Sequence, residues 1–182
     1  MTRTPSMETK FTRPLADVAV AGNGSVISGY ASLFGAVDQG GDIVEPGAYS
    51  ASLQRLRAEG GSIKLLWQHD PSEPIGVWDE VREDTRGLWV KGRILPDVAR
   101  GREAAALIRA GAIDGLSIGY KTLRATKDAQ GRRRLAEVDL WEVSLVTFPM
   151  LREARLAGKG ADIALFQKMT AAVAQARVRL GG

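Results

Sequence analysis

Apolar and polar residues alternate in short blocks along most of the chain, and glycine, proline and aspartate punctuate the blocks. From Val26 to Phe34, one parity carries Val26, Ser28, Tyr30, Ser32 and Phe34 and the other Ile27, Ala31 and Leu33, which predicts a strand with one well-buried face. GAVDQGG, from Gly35 to Gly41, reads as a loop. After Pro46, the segment GAYSASLQRLRAEGG places Tyr49, Leu53 and Leu56 at spacings of four and three. That pattern predicts a short amphipathic helix stopped by Gly60–Gly61. Strand-like runs follow at Ser62–His69, Ile75–Glu83 and Gly87–Leu95, with turn chemistry at Asp70–Pro71 and Arg86–Gly87. Asp97 is placed to cap a helix over Val98–Ala110, with Gly111 as its stop. Two further strands, Gly115–Leu123 and Leu135–Pro149, are joined as a hairpin by the charged loop ATKDAQGRRR. There is no internal repeat.

Beyond Gly158 the pattern changes. Phe166, Met169, Val173, Ala176 and Leu180 fall at spacings of 3, 4, 3 and 4, the narrow stripe of a helix that packs on another helix. Such a helix either docks on its own domain or binds a partner. The expected organisation is a loose polar N-terminus (1–13), one domain (14–158) and a basic amphipathic helical tail (159–182).

Composition narrows the chemistry. The 182 residues are 45% hydrophobic and 25% charged with a net charge of +4, which excludes a disordered composition. With no cysteine, disulfides, thiolate zinc sites, iron–sulfur clusters and cysteine catalysis are excluded. One histidine excludes a multi-histidine metal site within one chain, and neither metal nor cofactor is expected. No apolar run approaches the roughly 20 residues of a membrane span. MTRTPSMETKFTRP lacks the apolar stretch of a secretory signal, so a cytosolic, membrane-free protein is expected. The positive charge is local. Residues 121–134 carry six cations against one acid, residues 159–182 carry four against one, and the remainder is net negative. This argues against nucleic-acid binding, which wants a basic face on the body of the fold. The Arg132–Arg134 tip reads as solvated and has no interleaved aromatics for base stacking.

Three side chains stand out as candidate chemistry. His69 is the only one with an unperturbed pKa near neutrality. It ends the run IKLLWQHD, where Leu65, Trp67 and His69 share strand parity. A general base of this kind needs a hydroxyl within about 2.6–3.2 Å. Among ten serines, Ser117 in DGLSIGYKT is distinctive. Leu116, Ile118 and Tyr120 point one way, while Ser117 lies on the opposite face between Gly115 and Gly119, where no bulky neighbour shields it and a substrate backbone has close access. Glu142, in DLWEVSLVTFP, shares a face with Ser144 and Val146, and a carboxylate among apolar neighbours wants a partner. An imidazole suits it, since the acid fixes the tautomer. An arginine partner is the structural alternative. Asp139, Asp114 and Asp70 compete for the acid role, although alternation sends Asp70 to the side opposite His69. Ser144 is a lesser candidate nucleophile, without flanking glycines.

These residues lie in segments that resemble the prohead (capsid maturation) serine proteases of tailed phages and gene transfer particles. The matching pieces are GYASLFGAVDQGGDIVEPGAYSASL, IKLLWQHDPSEPIGVW, LIRAGAIDGLSIGYKT, and EVDLWEVSLVTFPM followed by Ala154, together spanning residues 24–156. The resemblance implies an α+β, herpesvirus-assemblin-like fold: a mainly antiparallel β-barrel flanked by helices. It implies a serine endopeptidase that trims the major capsid protein precursor, scaffold segments and itself inside the immature capsid, in the host cytoplasm; the alternative is a non-catalytic capsid-assembly or scaffold-binding protein with the same fold. Carried over, Ser117 matches the nucleophile and His69 the base. Glu142 lies on the strand where the herpesvirus relatives place a second histidine, which this chain lacks. The backbone at Leu151–Arg152 matches the oxyanion donors, and the relatives' dimers imply a homodimer.

Overall fold

The computed structural model describes residues 8–12 and 26–148. They form one eight-stranded sheet and two helices. In chain order the elements are β1 (Glu8–Thr12), β2 (Val26–Leu33), β3 (Ile43–Val44), α1 (Ser50–Ala58), β4 (Lys64–Trp67), β5 (Asp70–Glu83), β6 (Gly87–Ile94), α2 (Ala99–Ala110), β7 (Gly115–Lys127) and β8 (Arg133–Val146). The sheet order is β1-β7-β8-β4-β5-β6-β2, with β3 also on β8.

The α+β class and the mainly antiparallel pairing hold, and two details refine the barrel expectation. First, β3 and β4 pair with β8 in parallel, at Val44↔Leu135 and Leu65↔Val143. The chain runs briefly along one edge of β8, leaves through α1, and returns to that edge further along. Second, the sheet curls until β1 and β2 meet, but no ladder joins them among the described residues. The sheet is therefore curled, not closed by hydrogen bonds.

The N-terminus departs from expectation too. Glu8–Thr12, read as part of a loose segment, instead pairs antiparallel with β7 from Glu8↔Tyr120 to Thr12↔Leu116. The free edge of β7 presents unpaired backbone groups, and pairing satisfies them. The tail expected over 159–182 lies outside the described residues.

Two apolar clusters hold the sheet. Inside the curl, Tyr49 and Leu53 of the α1 region pack with Leu88, Val90, Leu116, Ile118, Tyr120, Leu140 and Val143. On the other cluster, Ala104, Ala105 and Ile108 of α2 pack with Ile27, Leu65, Ile75, Ile94 and Leu145. The Tyr49–Leu53–Leu56 stripe read from sequence is thus the buried side of α1. Glu83, at the end of β5, fixes the start of that helix by accepting from the Gly47 N–H (2.5 Å) and Ser50 Oγ (2.7 Å). In α2 the expected cap is displaced: Val98, not Asp97, is the N-cap residue, and no side chain caps the helix. Extended backbone at Val98 starts the helix one residue later than the Asp97 reading requires. Gly111 does end it, with φ +72.

The basic hairpin tip is not merely solvated. Arg132 pairs with Asp128 (2.7 Å), Arg133 with Asp42 (2.5 Å) and Arg134 with Glu45 (2.7 Å). The last two pairs tie the β7–β8 hairpin to the loop around β3, and all three spend charge that a polyanion would need.

At the β5–β6 turn, Asp84 accepts from Tyr30 Oη (2.7 Å), Arg82 Nη1 (2.7 Å), and the Arg86 (2.8 Å) and Gly87 (3.2 Å) N–H groups. Burial raises its pKa, but these bonds outweigh that effect and hold the carboxyl at about 2. A folded-state pKa below the unfolded value of about 3.9 contributes stability above about pH 4 and loses it as pH falls towards 2. Asp84→Asn is expected to cost about 1–2 kcal/mol at neutral pH and much less near pH 2, by urea unfolding. An equal cost at both pH values would contradict this assignment.

Candidate active site

The site is built on the β7–β8 hairpin. On β7, Leu116, Ile118 and Tyr120 enter the core inside the curl. Ser117 and Gly119 take the alternate parity. Antiparallel register sets Ser117 opposite Ser144 and Gly119 opposite Glu142. The two parities read separately from sequence therefore meet on one face of the sheet. A Cβ on Gly119 would lie 2.0 Å from Glu142 Oε1. This glycine makes room for the carboxylate; the close approach expected for a substrate is taken by the protein's own side chain.

His69 arrives from the other edge of β8. Parallel pairing ends β4 at Trp67 beside Leu145, and Trp67 pairs with Asp70 across a two-residue turn. The turn residues Gln68 and His69 have φ 52 and 63. Positive φ at both positions is the pattern of a type I′ hairpin turn, usually built from Asn and Gly. Non-glycine residues there carry strain of order 1–3 kcal/mol each, kept only where surrounding contacts enforce it. Here they do. Gln68 donates its N–H to the Leu145 carbonyl (3.0 Å) and its Nε2 to Thr147 Oγ1 (2.5 Å), and its Oε1 accepts the Thr147 N–H (3.3 Å). The His69 N–H bonds Ser144 Oγ (3.1 Å). His69 is thus a turn residue, not the end of a strand, and strand parity does not govern it.

The imidazole bridges the hairpin side chains. Ser117 Oγ lies 2.6 Å from His69 Nε2, and His69 Nδ1 lies 2.6 Å from Glu142 Oε1. Ser144 Oγ donates to Glu142 Oε2 at 2.6 Å. A carboxylate only accepts, so in the neutral ring the proton belongs on Nδ1 and Nε2 is left to accept from the Ser117 hydroxyl. Ser117 and Ser144 are fully buried, the Glu142 side chain is 3% exposed and the His69 ring 16%. Burial keeps water from competing for these bonds. The arrangement can take a proton from the Ser117 hydroxyl onto Nε2 and stabilise the resulting imidazolium through Glu142.

Two of the competing acids, Asp139 and Asp70, are engaged elsewhere. Asp139 accepts from Arg55, from Trp141 Nε1 (2.9 Å) and from Ser52 Oγ (3.4 Å). Asp70 is exposed and accepts from Ser72 Oγ (2.5 Å) and the Ser72 N–H (2.8 Å), bonds that lower its pKa. Asp114 sits half-buried in the α2–β7 connection, ahead of the strand. The arginine-partner alternative for Glu142 gives way to His69. Ser144, read as a lesser nucleophile, has its hydroxyl committed to Glu142 and to the His69 backbone. Leu151 and Arg152 lie outside the described residues. Among the described residues, no group of three or more His, Asp or Glu side chains is placed to hold a metal ion, and no helix is long and apolar enough to cross a membrane.

Sequence reasoning missed Gln68 and the bridging role of Ser144. Gln-His carries no turn signal like Asn-Gly. The part played by Ser144 depends on a register that one strand cannot disclose.

Comparison with known proteins bears on the same segments. A model of the caudovirus prohead serine protease family matches residues 13–169. The prohead protease of Enterobacteria phage HK97 is 31% identical over 139 residues, covering 75% of this chain and 60% of that protein. The capsid polyprotein of Pseudomonas phage PAJU2 is 32% identical over 139 residues, covering 72% of this chain and 19% of the polyprotein. The chain thus spans less than two thirds of the length of these curated relatives. The solved structure of the bacteriophage T4 capsid assembly protease superposes with a TM-score of 0.64 at 16% identity, covering 80% of this chain and 99% of that one, a likeness of fold. With most of its length matched by the family model, and with the matched stretch containing Ser117, His69 and Glu142, the chain belongs to the caudovirus prohead serine protease family.

Proposed function

We propose that the protein is a serine endopeptidase that cleaves capsid and scaffold precursor proteins, and its own chain, during maturation of a phage-type capsid. The observation that best supports this reading is the unbroken line of hydrogen bonds from Ser117 through His69 to Glu142. Family membership and the names of the two phage relatives support the choice of substrate.

In this reading His69 Nε2 accepts the Ser117 proton as Oγ attacks a peptide carbonyl carbon. Glu142 holds the ring in the reactive tautomer and steadies the imidazolium. Backbone N–H groups receive the developing oxyanion, the role that the resemblance assigns to Leu151 and Arg152, a contribution of about 2.7–4 kcal/mol per donor in a well-studied serine protease. The imidazolium then protonates the leaving amine, and the acyl-enzyme forms on Ser117. Water, deprotonated by His69, attacks the ester and releases the carboxylate product, restoring the hydroxyl. The finer architecture proposed is an assemblin-like curled sheet acting as a homodimer, within the immature capsid in the host cytoplasm.

The test is cleavage of the capsid precursor by purified protein. Ser117→Ala and His69→Ala are expected to abolish it; cleavage at the wild-type rate by Ser117→Ala would overturn the reading. Glu142→Gln is expected to lower kcat by about 10³–10⁴-fold, the scale seen when a triad acid is made neutral. Gly119→Ala is expected to fold, because the carboxylate can move where β7 and β8 cannot. Its displaced Glu142 is expected to lower kcat by at least about 10²-fold. Wild-type kcat in Gly119→Ala, measured on the same precursor, would contradict the packing argument.

A further inference from the structure

Ser144 makes two contacts that the proton-transfer line does not use. Its Oγ donates to Glu142 Oε2 at 2.6 Å and accepts the His69 N–H at 3.1 Å. A hydroxyl has one donor and two acceptor positions, so one oxygen serves the acid and the backbone of the base together. Its place follows from register, since Ser144 faces Ser117 on β7 and pairs in parallel with Leu66 on β4, just before the His69 turn.

We propose that Ser144 is a positioning residue for the Ser117–His69–Glu142 line, coupling the rotamer of Glu142 to the backbone of the His69 turn. The proposal rests on the serine-protease reading and extends it to a residue outside the proton path. Two demands make it necessary. Glu142 Oε2 is buried, and without a donor it has reason to turn its carboxylate away from His69. His69 sits at φ 63, and its N–H is one of the contacts that resist relaxation to ordinary backbone. Serine meets both demands in the space of a methylene and a hydroxyl. Losing it leaves Ser117, the imidazole and the carboxylate present but no longer fixed relative to one another. Small misplacements of reacting groups reduce the rate far more than they reduce binding.

Ser144→Ala is expected to lower kcat on the capsid precursor by about 10- to 100-fold with KM within about twofold, and Ser144→Thr, which keeps the hydroxyl, to recover most of the loss. A second readout is independent of turnover. The chain has a single histidine, so the imidazole ¹⁵N shifts report His69 alone. Wild type is expected to show one tautomer protonated at Nδ1, and Ser144→Ala a mixture, at unchanged far-ultraviolet circular dichroism. Should Ser144→Ala fail to fold, Ser144→Cys keeps the approximate volume while replacing a strong donor with a weak one, and serves the same comparison. A variant lacking the hydroxyl that retains wild-type kcat and a single tautomer overturns the proposal. That result, alongside an inactive Ser117→Ala, leaves the protease reading standing; an active Ser117→Ala removes the reading itself.

Discussion

A carboxylate sealed from water is tolerable only when its oxygens are met by donors, and Glu142 imposes that condition on everything around it. One oxygen is met by the imidazole and the other by Ser144. Gly119 leaves the space that the carboxylate fills. His69 is held in a left-handed turn so that its ring spans from Glu142 to Ser117. Each feature makes sense through the acid: it selects the tautomer, and the tautomer leaves Nε2 open to the hydroxyl.

The sheet topology makes this meeting possible. The residues are far apart in sequence, 48 positions between Ser117 and His69 and 73 between His69 and Glu142. β8 lies between β7 and β4. One edge of β8 aligns Ser117 and Gly119 through an antiparallel hairpin, while the other receives β4 in parallel and ends it where the His69 turn must start. The helix α1 lies between β3 and β4, and after it the chain rejoins the same edge of β8 further along. Gln68 then fastens the turn to Thr147, just past the end of β8. Rigid elements thus hold two of the three groups, and a strapped turn holds the third.

Much of the fold was legible because its strands and helices carry strong local patterns. The α1 stripe, the Gly111 stop and the β7–β8 hairpin all follow from spacing and turn chemistry. The misses are short or non-local. β3 has two residues, too few for any period, and β1 gains its order from the edge it covers. Parity placed Ser117 and Glu142 on defined faces of their own strands, but only register places those faces together. From sequence His69 reads as a strand residue because Leu65 and Trp67 share its parity, whereas a turn enforced by distant partners interrupts that alternation. Close approach at Gly119 is legible in the sequence, but its occupant, the Glu142 carboxylate, is set by register. The basic tip misled in a similar way, since Asp42 and Glu45, which absorb its charge, lie some 90 residues upstream.

The most direct measurement is the site of covalent modification by a fluorophosphonate, mapped by peptide mass spectrometry. The account predicts one adduct, on Ser117 alone among ten serines, and its loss when His69 is replaced. An adduct on Ser144 or any other serine, or labelling of Ser117 that proceeds equally well without His69, would contradict it.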